Sequence, residues 1–340
     1  MQLLSLMNKA KCLISSSNDP FFNLATEDFI FNDMSADEHI LFLWRNGPSI
    51  IIGRNQNPWA ECNLHKIAEE GVNLVRRQSG GGAVYQDLGN TIFTFLSSRS
   101  EYDRKRNFDI TIRALAKFGI KAEQSGRNDI LVDGKKISGS AFKENPDRAF
   151  HHGTLLINVN LSKLNDLLTP HPKKLESKGT PSVRSRVANL TEFNPSITHE
   201  SLTNVIIEEF FNTYNADKKI EILNRENLKQ IPELNKYYQF LKGQDWVLGE
   251  TPRFKHRLTE KFDWAFIDLH LETDGGKIGK AKIFSDCLDT QLVEEMEKCL
   301  HNLDYHPEAV CVGLDRIKEK LPHTQSQIND FQNWIKKEIQ

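Results

Sequence analysis

Apolar residues recur with two different spacings over the first 250 residues, so short strands and helices are predicted to alternate there. The segment NDPFFNLATEDFIFNDM begins with a capping residue and Pro20 and continues as an amphipathic helix. HILFLWRNGPSIIIGRN is predicted to form two strands joined across Asn46-Gly47-Pro48, a turn signal. Further strands are predicted for KCLISSS, VNLVRRQ, NTIFTFLSS and HHGTLLINVN, and further helices for WAECNLHKIAEEG, FDITIRALAKFGI and SLTNVIIEEFFNTYN.

The segment ILVDGKKISGSAF carries Asp133-Gly134, a dipeptide that suits the type I′ turn of a two-residue hairpin. The strand pairs that follow from this turn are Val132 with Lys135, Leu131 with Lys136, and Asp129 with Ser138. Because side chains alternate across a strand, Asp129, Lys136 and Ser138 are predicted to share one face, while Lys135 points away as a solvated charge. A lysine, a carboxylate and a hydroxyl on one surface suit a nucleotide with its magnesium. The alternative is an exposed, charged hairpin.

The composition changes around DWVLGETPRFKHRL, and a domain boundary is predicted near residues 249–255. Beyond it, WAFIDLHLETDGGKIGKAKIFS is predicted to form a hairpin around Asp274-Gly275-Gly276, and TQLVEEMEKCLHNL is predicted to form a helix. We therefore expect an α+β protein with a large domain over residues 1–249 and a small α+β domain over residues 256–340.

Composition and charge narrow the class of protein. The 340 residues carry 44 basic and 46 acidic side chains, a formal net charge of −2, which gives no global attraction to nucleic acid or to an anionic membrane. No apolar run approaches the roughly 20 residues of a membrane span. We expect neither nucleic acid nor membrane as a partner.

The cysteines and the N-terminus bear on location. The chain has five cysteines, an odd number, and they are scattered without a CxxC pair. This pattern favours free thiols in a reducing compartment over disulfides or a zinc site. MQLLSLMNKAKCLISSSND has some features of an organellar transit peptide but lacks arginine. We expect a frayed lead before the first strand, and a cytoplasmic protein.

The stretch RRQSGGGAVYQDLGN sets two arginines before three glycines at the end of a predicted strand. Consecutive glycines can turn their N–H groups inward as an anion-binding nest and let a ligand lie against bare backbone. Arg76 and Arg77 should face opposite sides, and the inward guanidinium could grip a phosphate or carboxylate. The alternative is a bulged strand with a glycine-rich turn. The Walker loop and the GxGxxG fingerprint are both absent from the sequence.

Two further segments are candidates for binding. In FHHGTLL no third ligand stands at zinc spacing, so one imidazole is expected to face a ligand and the other to point away. The basic segment KLESKGTPSVRSRVANL, residues 174–190, is either a solvated loop or a lid over a polyphosphate; its cationic residues include Lys178, Arg184 and Arg186.

Several of these segments, in this order, resemble the lipoate–protein ligase A family over nearly the whole chain. They are DPFFNLATEDFIF, LFLWRN, IIIGRNQNPWAECN, RRQSGGGAVYQDLGNTIFTF, SGRNDI, KKISGSAFK, FHHGTLLINVNLS and KGTPSVRSRVANLTE. The resemblance implies a catalytic domain with the fold shared by biotin and lipoate ligases, in which mixed and antiparallel sheets pack with helices. It also implies the small C-terminal domain of the longer ligases.

The resemblance also implies an activity. Ligases of this family use ATP and Mg²⁺ to convert lipoate to lipoyl-AMP, with release of pyrophosphate, and then pass the lipoyl group to a lysine of an acceptor domain. The implied acceptors are the E2 subunits of 2-oxoacid dehydrogenases and the H protein of glycine cleavage. We expect the chain to act as a monomer.

The roles of individual residues are likewise implied by the resemblance. Lys136 matches a lysine that touches both lipoate and the phosphate and would be the catalytic residue. Nucleotide contacts are implied for Arg77, Gly82, Ala83, Val84, Tyr85 and Lys136, and lipoate contacts for Lys136, Ser79, Gly80, Gly81 and His152. Asp129 is the candidate Mg²⁺ ligand.

One residue departs from the family pattern, and several other functions are alternatives to a lipoate–protein ligase. Gln86 occupies a position where related ligases often have histidine, and glutamine cannot carry a proton at neutral pH, so acid–base work at this position is doubtful. A cysteine-dependent acyltransferase is disfavoured because no cysteine lies between Cys62 and Cys287. A biotin ligase is disfavoured because its adenylate loop differs from these segments. A lipoyltransferase that uses preformed lipoyl-AMP and a non-catalytic lipoyl-binding protein remain as alternatives.

Overall fold

The computed structural model describes residues 9–33, 35, 38–126, 128–168, 187–248, 256–274 and 277–338. An eight-stranded mixed sheet forms the centre of the large domain, with the strand order β11-β1-β2-β6-β10-β9-β8-β7. Its strands are β1 Lys9–Ser15, β2 Glu38–Trp44, β6 Asn90–Ser98, β7 Glu123–Ser125, β8 Asp129–Val132, β9 Lys135–Glu144, β10 Arg148–Leu156 and β11 Ile220–Leu223. The pairs β1–β2 and β1–β11 are parallel, and the other pairs are antiparallel.

Helices cover both faces of this sheet. The helices of the large domain are α1 Pro20–Asp33, α2 Pro58–Glu61, α3 Leu64–Glu69, α4 Arg104–Ala116, α5 Ser162–Leu167, α6 His199–Tyr214, α7 Asn227–Gln230, α8 Pro232–Lys242 and α9 Gln244–Leu248. Of these, α1 packs on one face of the sheet and α4 and α6 on the other, whereas α3 and α5 pack with a smaller, second sheet. The central strand β2 explains why HILFLW is apolar throughout. Leu41 and Leu43 pack in the core shared with α4 and α6, whereas Phe42 and Trp44 pack in the core shared with α1 and α8. A strand buried on both faces needs apolar residues at consecutive positions.

Helix α1 is buried on nearly all sides. Ten of its fourteen residues are buried, because the sheet covers one side and α8 the other. The prediction of an amphipathic helix was therefore wrong, although the predicted position was right. Two of the buried residues are the consecutive acids Glu27 and Asp28. Asp28 Oδ1 lies 3.3 Å from Lys143 Nζ, but burial still raises the pKa of Asp28 to about 6.

A second, three-stranded sheet presents the glycine stretch. It has the order β4-β3-β5, with β3 Ser49–Ile52, β4 Asn73–Arg76 and β5 Val84–Gln86, and residues 77–83 connect β4 to β5. The helix predicted for WAECNLHKIAEEG is divided into α2 and α3, because Asn63 leaves helical geometry and caps α3 through the N–H of Lys66. Gly71 ends this segment with a positive φ of 65°, as predicted.

The hairpin β8–β9 forms around the predicted turn but with a different register. Asp133 and Gly134 have φ values of 49° and 73°, as a type I′ turn requires. Val132 pairs with Lys135 and Leu131 with Lys136, as predicted, and the register then shifts so that Ile130 pairs with Ser138 and Asp129 with Gly139. The prediction that Asp129 pairs with Ser138 was wrong, because a β-bulge inserts one extra residue into β9.

The C-terminal domain consists of a three-stranded antiparallel sheet and a layer of helices. Its strands are β12 His256–Lys261, β13 Phe266–Asp274 and β14 Lys277–Ser285, and its helices are α10 Thr290–Leu300, α11 Pro307–Lys320 and α12 Gln325–Glu338. The strands and helices share one apolar core. The predicted boundary at 249–255 and the turn residues 275–276 lie outside the described residues.

Backbone contacts join the C-terminal domain to the loops of the large domain. Ser285 N donates to Asn55 O at 2.8 Å, and Gly81 N donates to Cys287 O at 3.2 Å. Arg54 Nε and Glu294 Oε1 form an ion pair at 2.6 Å. Among the helices of the described residues, none has the length and apolar character needed to cross a membrane.

Candidate functional site

A cavity of about 180 Å³ lies where the glycine loop, α1 and strands β9 and β10 meet. Its apolar wall is made by Leu24, Trp44, Ile51, Val84, Ile92 and Ala141. Its polar positions are Arg77, Gln86, Asn128, Lys136, Ser140, His152 and Thr154, and bare backbone is offered by Gly81, Gly82, Gly139 and Gly153. The cavity can therefore take a molecule with an apolar body and a charged end.

Lys136 stands at this cavity beside a carboxylate. Its Nζ lies 2.7 Å from Asp129 Oδ1, and both side chains remain about one-third exposed. A side chain at Gly139 would come within 3.0 Å of Lys136 Nζ, so the glycine leaves the ammonium its space. The neighbouring Lys135 points away from the cavity as predicted, and its Nζ lies 3.2 Å from Glu192 on the surface.

Ser138 does not join this polar surface. It is fully buried, and it is absent from the cavity wall, where Gly139 and Ser140 stand instead. The β-bulge after Lys136 moves Ser138 away from the face that carries the lysine. The prediction that Ser138 shares a surface with Asp129 and Lys136 was therefore wrong.

The three glycines of the loop have three different surroundings. A side chain at Gly80 would overlap the carbonyl oxygen of Cys287 in the C-terminal domain. Gly81 has a φ of 91°, and a side chain there would press against the guanidinium of Arg77 at 2.9 Å. Gly82 is exposed, and a side chain there would meet no atom of the described residues within 4 Å. Only Gly81 and Gly82 line the cavity, whereas Gly80 faces the other domain.

Arg77 braces this loop from inside. Its guanidinium donates to the carbonyl oxygens of Gly80 at 2.6 Å, Gly82 at 2.8 Å and Ile51 at 3.0 Å, and its Nε donates to Ser79 Oγ at 3.0 Å. Burial lowers the pKa of Arg77 to about 10, so the side chain stays cationic at neutral pH.

Arg76 takes the opposite side of the strand, as alternation predicts. Its NH1 donates to the carbonyl oxygens of Gly53, Arg54 and Gln56, and its Nε and NH2 donate to those of Trp246 and Val247 in α9. Arg76 is therefore committed to holding the chain together on the far side of β4.

His152 connects the cavity to a buried acid. Its Nδ1 lies 2.9 Å from Glu27 Oε1 and 3.0 Å from Oε2, and its Nε2 lies 2.8 Å from Ser79 Oγ. Thr94 Oγ1 donates to Glu27 Oε1 at 2.6 Å, and Trp44 Nε1 donates to Thr94 Oγ1 at 3.2 Å. Glu27 was not among the predicted site residues. The signal in the sequence was an acid at a core position of the α1 pattern.

His151 faces the opposite side of the sheet, as expected for one of the two histidines. Neither ring nitrogen has a hydrogen-bond partner among the residues that the structure describes, and the ring lies among phenylalanines, with centroids 4.6 Å from Phe108 and 4.9 Å from Phe142. Burial lowers the pKa of His151 well below its usual value, so the imidazole is neutral. Its role is packing.

Gln86 sits in a chain of amides. Asn46 Nδ2 donates to Gln86 Oε1 at 2.7 Å, and Asn23 Nδ2 donates to Asn46 Oδ1 at 2.9 Å. The glutamine is buried at the cavity wall and fixed by hydrogen bonding. This arrangement positions a polar group without a titrating proton.

The structure thus brings some, but not all, of the predicted site residues together at the cavity wall. The cavity wall contains Arg77, Gly81, Gly82, Ala83, Val84, Lys136 and His152. Ser79, Gly80 and Tyr85 lie behind it; burial and the nearby Asp87 raise the pKa of Tyr85 to about 12, so its phenol is protonated at neutral pH. The described part of the chain contains no group of three or more His, Cys, Asp or Glu side chains that could hold a metal.

The proposed lid falls mostly outside the described residues, with Lys178, Arg184 and Arg186. Its described end reaches the site directly: Ala188 N donates to Lys136 O at 3.0 Å, and Val187 forms a parallel bridge with Lys136. The backbone that follows the basic segment is thus paired to the strand position that carries the lysine.

Comparisons with known proteins place these features in a family. A model of the lipoyl protein ligase A/B catalytic domain matches residues 19–211, and one of the bacterial lipoate protein ligase C-terminus matches residues 251–335. A lipoate-protein ligase A from Psychrobacter cryohalolentis is 48% identical over 332 residues, which cover 96% of this chain and 98% of the relative.

Two solved structures extend the match. P. falciparum LipL1 in complex with lipoate superposes with a TM-score of 0.86 at 37% identity, covering 96% of this chain and 99% of that one. A lipoate-protein ligase A bound with ATP gives a TM-score of 0.61 at 25% identity, covering 71% of this chain and 99% of that one. The α+β fold expected from the sequence is confirmed.

Proposed function

Because this chain belongs to the lipoate–protein ligase A family, we propose that its cavity is where lipoate is joined to AMP before transfer to protein. The activity is that of a lipoate–protein ligase, an enzyme that uses ATP and lipoate. We assign the individual steps to residues from one observation, that Lys136, Asp129 and the glycine loop lie together at one cavity.

The acyl chain of lipoate lies against the apolar wall. The side chains of Trp44, Ile51 and Ile92, together with the side-chain-free backbone at Gly153, form a narrow slot for a hydrocarbon chain. His152 and Gly81 border the same space, and Ser79 and Gly80 shape it from behind through their contacts with His152 and Arg77. Burial of the chain supplies affinity, and the polar positions orient its carboxylate.

Lys136 carries the first chemical step. The lipoate carboxylate attacks the α-phosphorus of ATP, which brings two anions together, and pyrophosphate leaves. A fixed ammonium offsets their repulsion and stabilises the charge that develops on the phosphorus oxygens. The ammonium already has a partner in the Asp129 carboxylate at 2.7 Å, so it is held in place before the substrates arrive.

The nucleotide lies along Gly82, Ala83, Val84 and Tyr85, where Gly82 leaves open space over the backbone. Arg77 acts by holding the carbonyl groups of this loop inward. Mg²⁺ fits the site as a partner of ATP: a single, partly exposed carboxylate with room for phosphates and water suits this ion, and Asp129 would hold it. It would supply screening of the phosphate charge.

In the second step a lysine amine of an acceptor domain attacks the acyl carbon of lipoyl-AMP, and AMP leaves. Lys136 polarises the acyl carbonyl, and no covalent intermediate with the enzyme forms. The acceptors are lipoyl domains of E2 subunits and the H protein, and the enzyme works as a cytoplasmic monomer. The acceptors and the monomeric state are proposed from the family, and the cytoplasmic location from the five scattered cysteines, which favour a reducing compartment.

Intact-mass analysis of an apo acceptor domain tests the proposed function. The domain is incubated with the protein, Mg²⁺, ATP and free lipoate, and in parallel without ATP or with lipoyl-AMP in place of both substrates. We expect a mass increase of one lipoyl group in the complete mixture and with lipoyl-AMP, but not without ATP. Modification by lipoyl-AMP alone would identify a transferase, and no modification in any mixture would identify a binding protein.

A further inference from the structure

With a neutral His152, the hydrogen bonds between Arg77 and Glu27 have one consistent direction. Arg77 Nε can only donate, so Ser79 Oγ accepts from it and has its own proton left for His152 Nε2. Nδ1 of the same imidazole lies within 3.0 Å of both carboxylate oxygens of Glu27, which can only accept. The chain therefore runs from Arg77 through Ser79 and His152 to Glu27.

This direction fixes the tautomer of His152. A neutral imidazole carries one proton, and here the proton belongs on Nδ1, so Nε2 accepts from Ser79. Thr94 approaches Glu27 from the other side and also donates to it, at 2.6 Å. Two donor groups, the His152 imidazole and the Thr94 hydroxyl, thus converge on one carboxylate, which is the terminal acceptor of the network.

The same chain separates two buried, opposite charges. The side chain of Glu27 is 3% exposed, and Arg77 as a residue is 6% exposed. Within the described residues, no lysine or arginine lies within ion-pair distance of Glu27, and the nitrogen nearest to its carboxylate is Nδ1 of His152, at 2.9 Å. A buried charge needs a compensating partner. Here, hydrogen bonds through Ser79 and His152 connect the cation of Arg77 in the glycine loop to the carboxylate of Glu27 in α1.

We propose that Glu27 is a positioning residue for the acyl pocket, which fixes His152 as the Nδ1–H tautomer and, through Ser79, holds Arg77 and the glycine loop in the shape that binds lipoate. This role rests on the proposed function of the cavity. Glu27 itself does not touch the cavity and acts through His152. Its neighbour Asp28 is equally buried on the same helix, but it pairs with Lys143 and makes none of the hydrogen bonds that link Arg77 to Glu27.

The kinetic test compares Glu27→Gln with Asp28→Asn, a matched change of one buried acid to its amide. Lipoate-dependent pyrophosphate release is measured at a temperature well below unfolding. We expect Glu27→Gln to raise KM for lipoate about 10- to 100-fold, with a much smaller change in kcat, because hydrogen bonds to a charged group are lost from the pocket wall. Asp28→Asn should leave both constants near wild type. Equal KM values for Glu27→Gln and wild type would overturn the proposal.

A double-mutant cycle tests whether Glu27 acts through Ser79. Ser79→Ala cuts the chain at its other end, so we expect the double variant to have a KM within about twofold of the weaker-binding single variant. Multiplied effects would show that the two residues act separately. Should Glu27→Gln fail to fold, Ser79→Ala alone still has to raise KM for lipoate, and an unchanged KM would overturn the proposal.

Nitrogen NMR of ¹⁵N-histidine-labelled wild-type protein reads the tautomer without any activity. The resonances of His152 are assigned by their loss in His152→Ala. We expect a protonated Nδ1 and a bare Nε2 at neutral pH, and the opposite pattern would contradict the inference. Absence of lipoate-dependent pyrophosphate release by the wild type would instead refute the proposed function, and the NMR result would still report on Glu27.

Discussion

Two consecutive lysines in β9 have opposite surroundings. Lys136 stands at the cavity 2.7 Å from Asp129, whereas Lys135 lies on the surface 3.2 Å from Glu192. Strand alternation separated the two lysines in the sequence, and the same alternation predicted that Lys136 shares one face with Asp129. Their difference is a direct test of the proposed chemistry.

We expect Lys136→Ala to slow lipoyl-AMP formation about 100- to 1000-fold, because the charge that stabilises the developing oxyanions is removed. Lys135→Ala should stay within about twofold of wild type, as for a surface charge. Both variants are compared by lipoate-dependent pyrophosphate release, with circular dichroism to verify folding. Similar losses in the two variants would contradict the assignment of Lys136.

Asp28 makes the stability of the protein depend on pH. Its pKa is about 6 in the folded state, above its ordinary value of 3.8, so the folded state binds the proton more tightly. The resulting stabilisation is complete below pH 3.8 and is lost as pH rises through about 6. We expect Asp28→Asn to be more stable than wild type at pH 8, by up to about 3 kcal/mol, and similar to it near pH 4. Urea unfolding at the two pH values measures this, and a constant difference would contradict it.

Buried polar residues were the hardest to read from the sequence. Glu27 and Thr94 lie in segments whose apolar neighbours define the helix and the strand, and nothing local marks them as partners of His152. They meet because β6, β10 and α1 are adjacent in space, and this adjacency is a property of the fold. The amphipathic pattern expected for α1 failed for the same reason, since α8 covers the side predicted to be exposed.

At the scale of secondary-structure elements, the turn could be predicted from the sequence, but the strand register could not. Asp133-Gly134 specifies its turn through two positive φ values, and the first two pairs of the hairpin follow from it. The one hint of a bulge in ILVDGKKISGSAF is Gly139, because a glycine inside a strand often accompanies one, but it does not fix which residue is inserted. In the sheet, Ser138 pairs with Leu155 and Gly139 with Thr154 of β10. One extra residue was enough to remove Ser138 from the site.

At the scale of the whole molecule, the glycine loop is shared between the cavity and the domain interface. The sequence suggested that all three glycines serve a ligand. The structure instead places Gly80 against the backbone of Cys287 and Leu288, a contact between residues about 200 positions apart. Long-range contacts of this kind cannot be inferred from a single sequence.

We expect Gly80→Ala to destabilise the protein by about 1–3 kcal/mol, because its side chain overlaps backbone that belongs to the other domain. Gly82→Ala, in open space, is the matched control and should be near neutral for stability. Thermal unfolding measures both. Hydrogen exchange at the amide of Gly81, which donates to Cys287 O, should accelerate in Gly80→Ala alone. Equal exchange in the two variants would contradict a docking role for Gly80.

The pairing of β1 with β11 has a consequence for how the chain is made. Cys12 pairs with Ile220, so the first strand of the sheet gains its outer neighbour from a segment that is synthesised about 200 residues later. At translation rates of roughly 5–20 residues per second, this edge waits about 10 to 40 seconds on the ribosome with its amides and carbonyls open. Nascent chains halted before residue 220 should therefore depend on chaperones that shield an unfinished sheet.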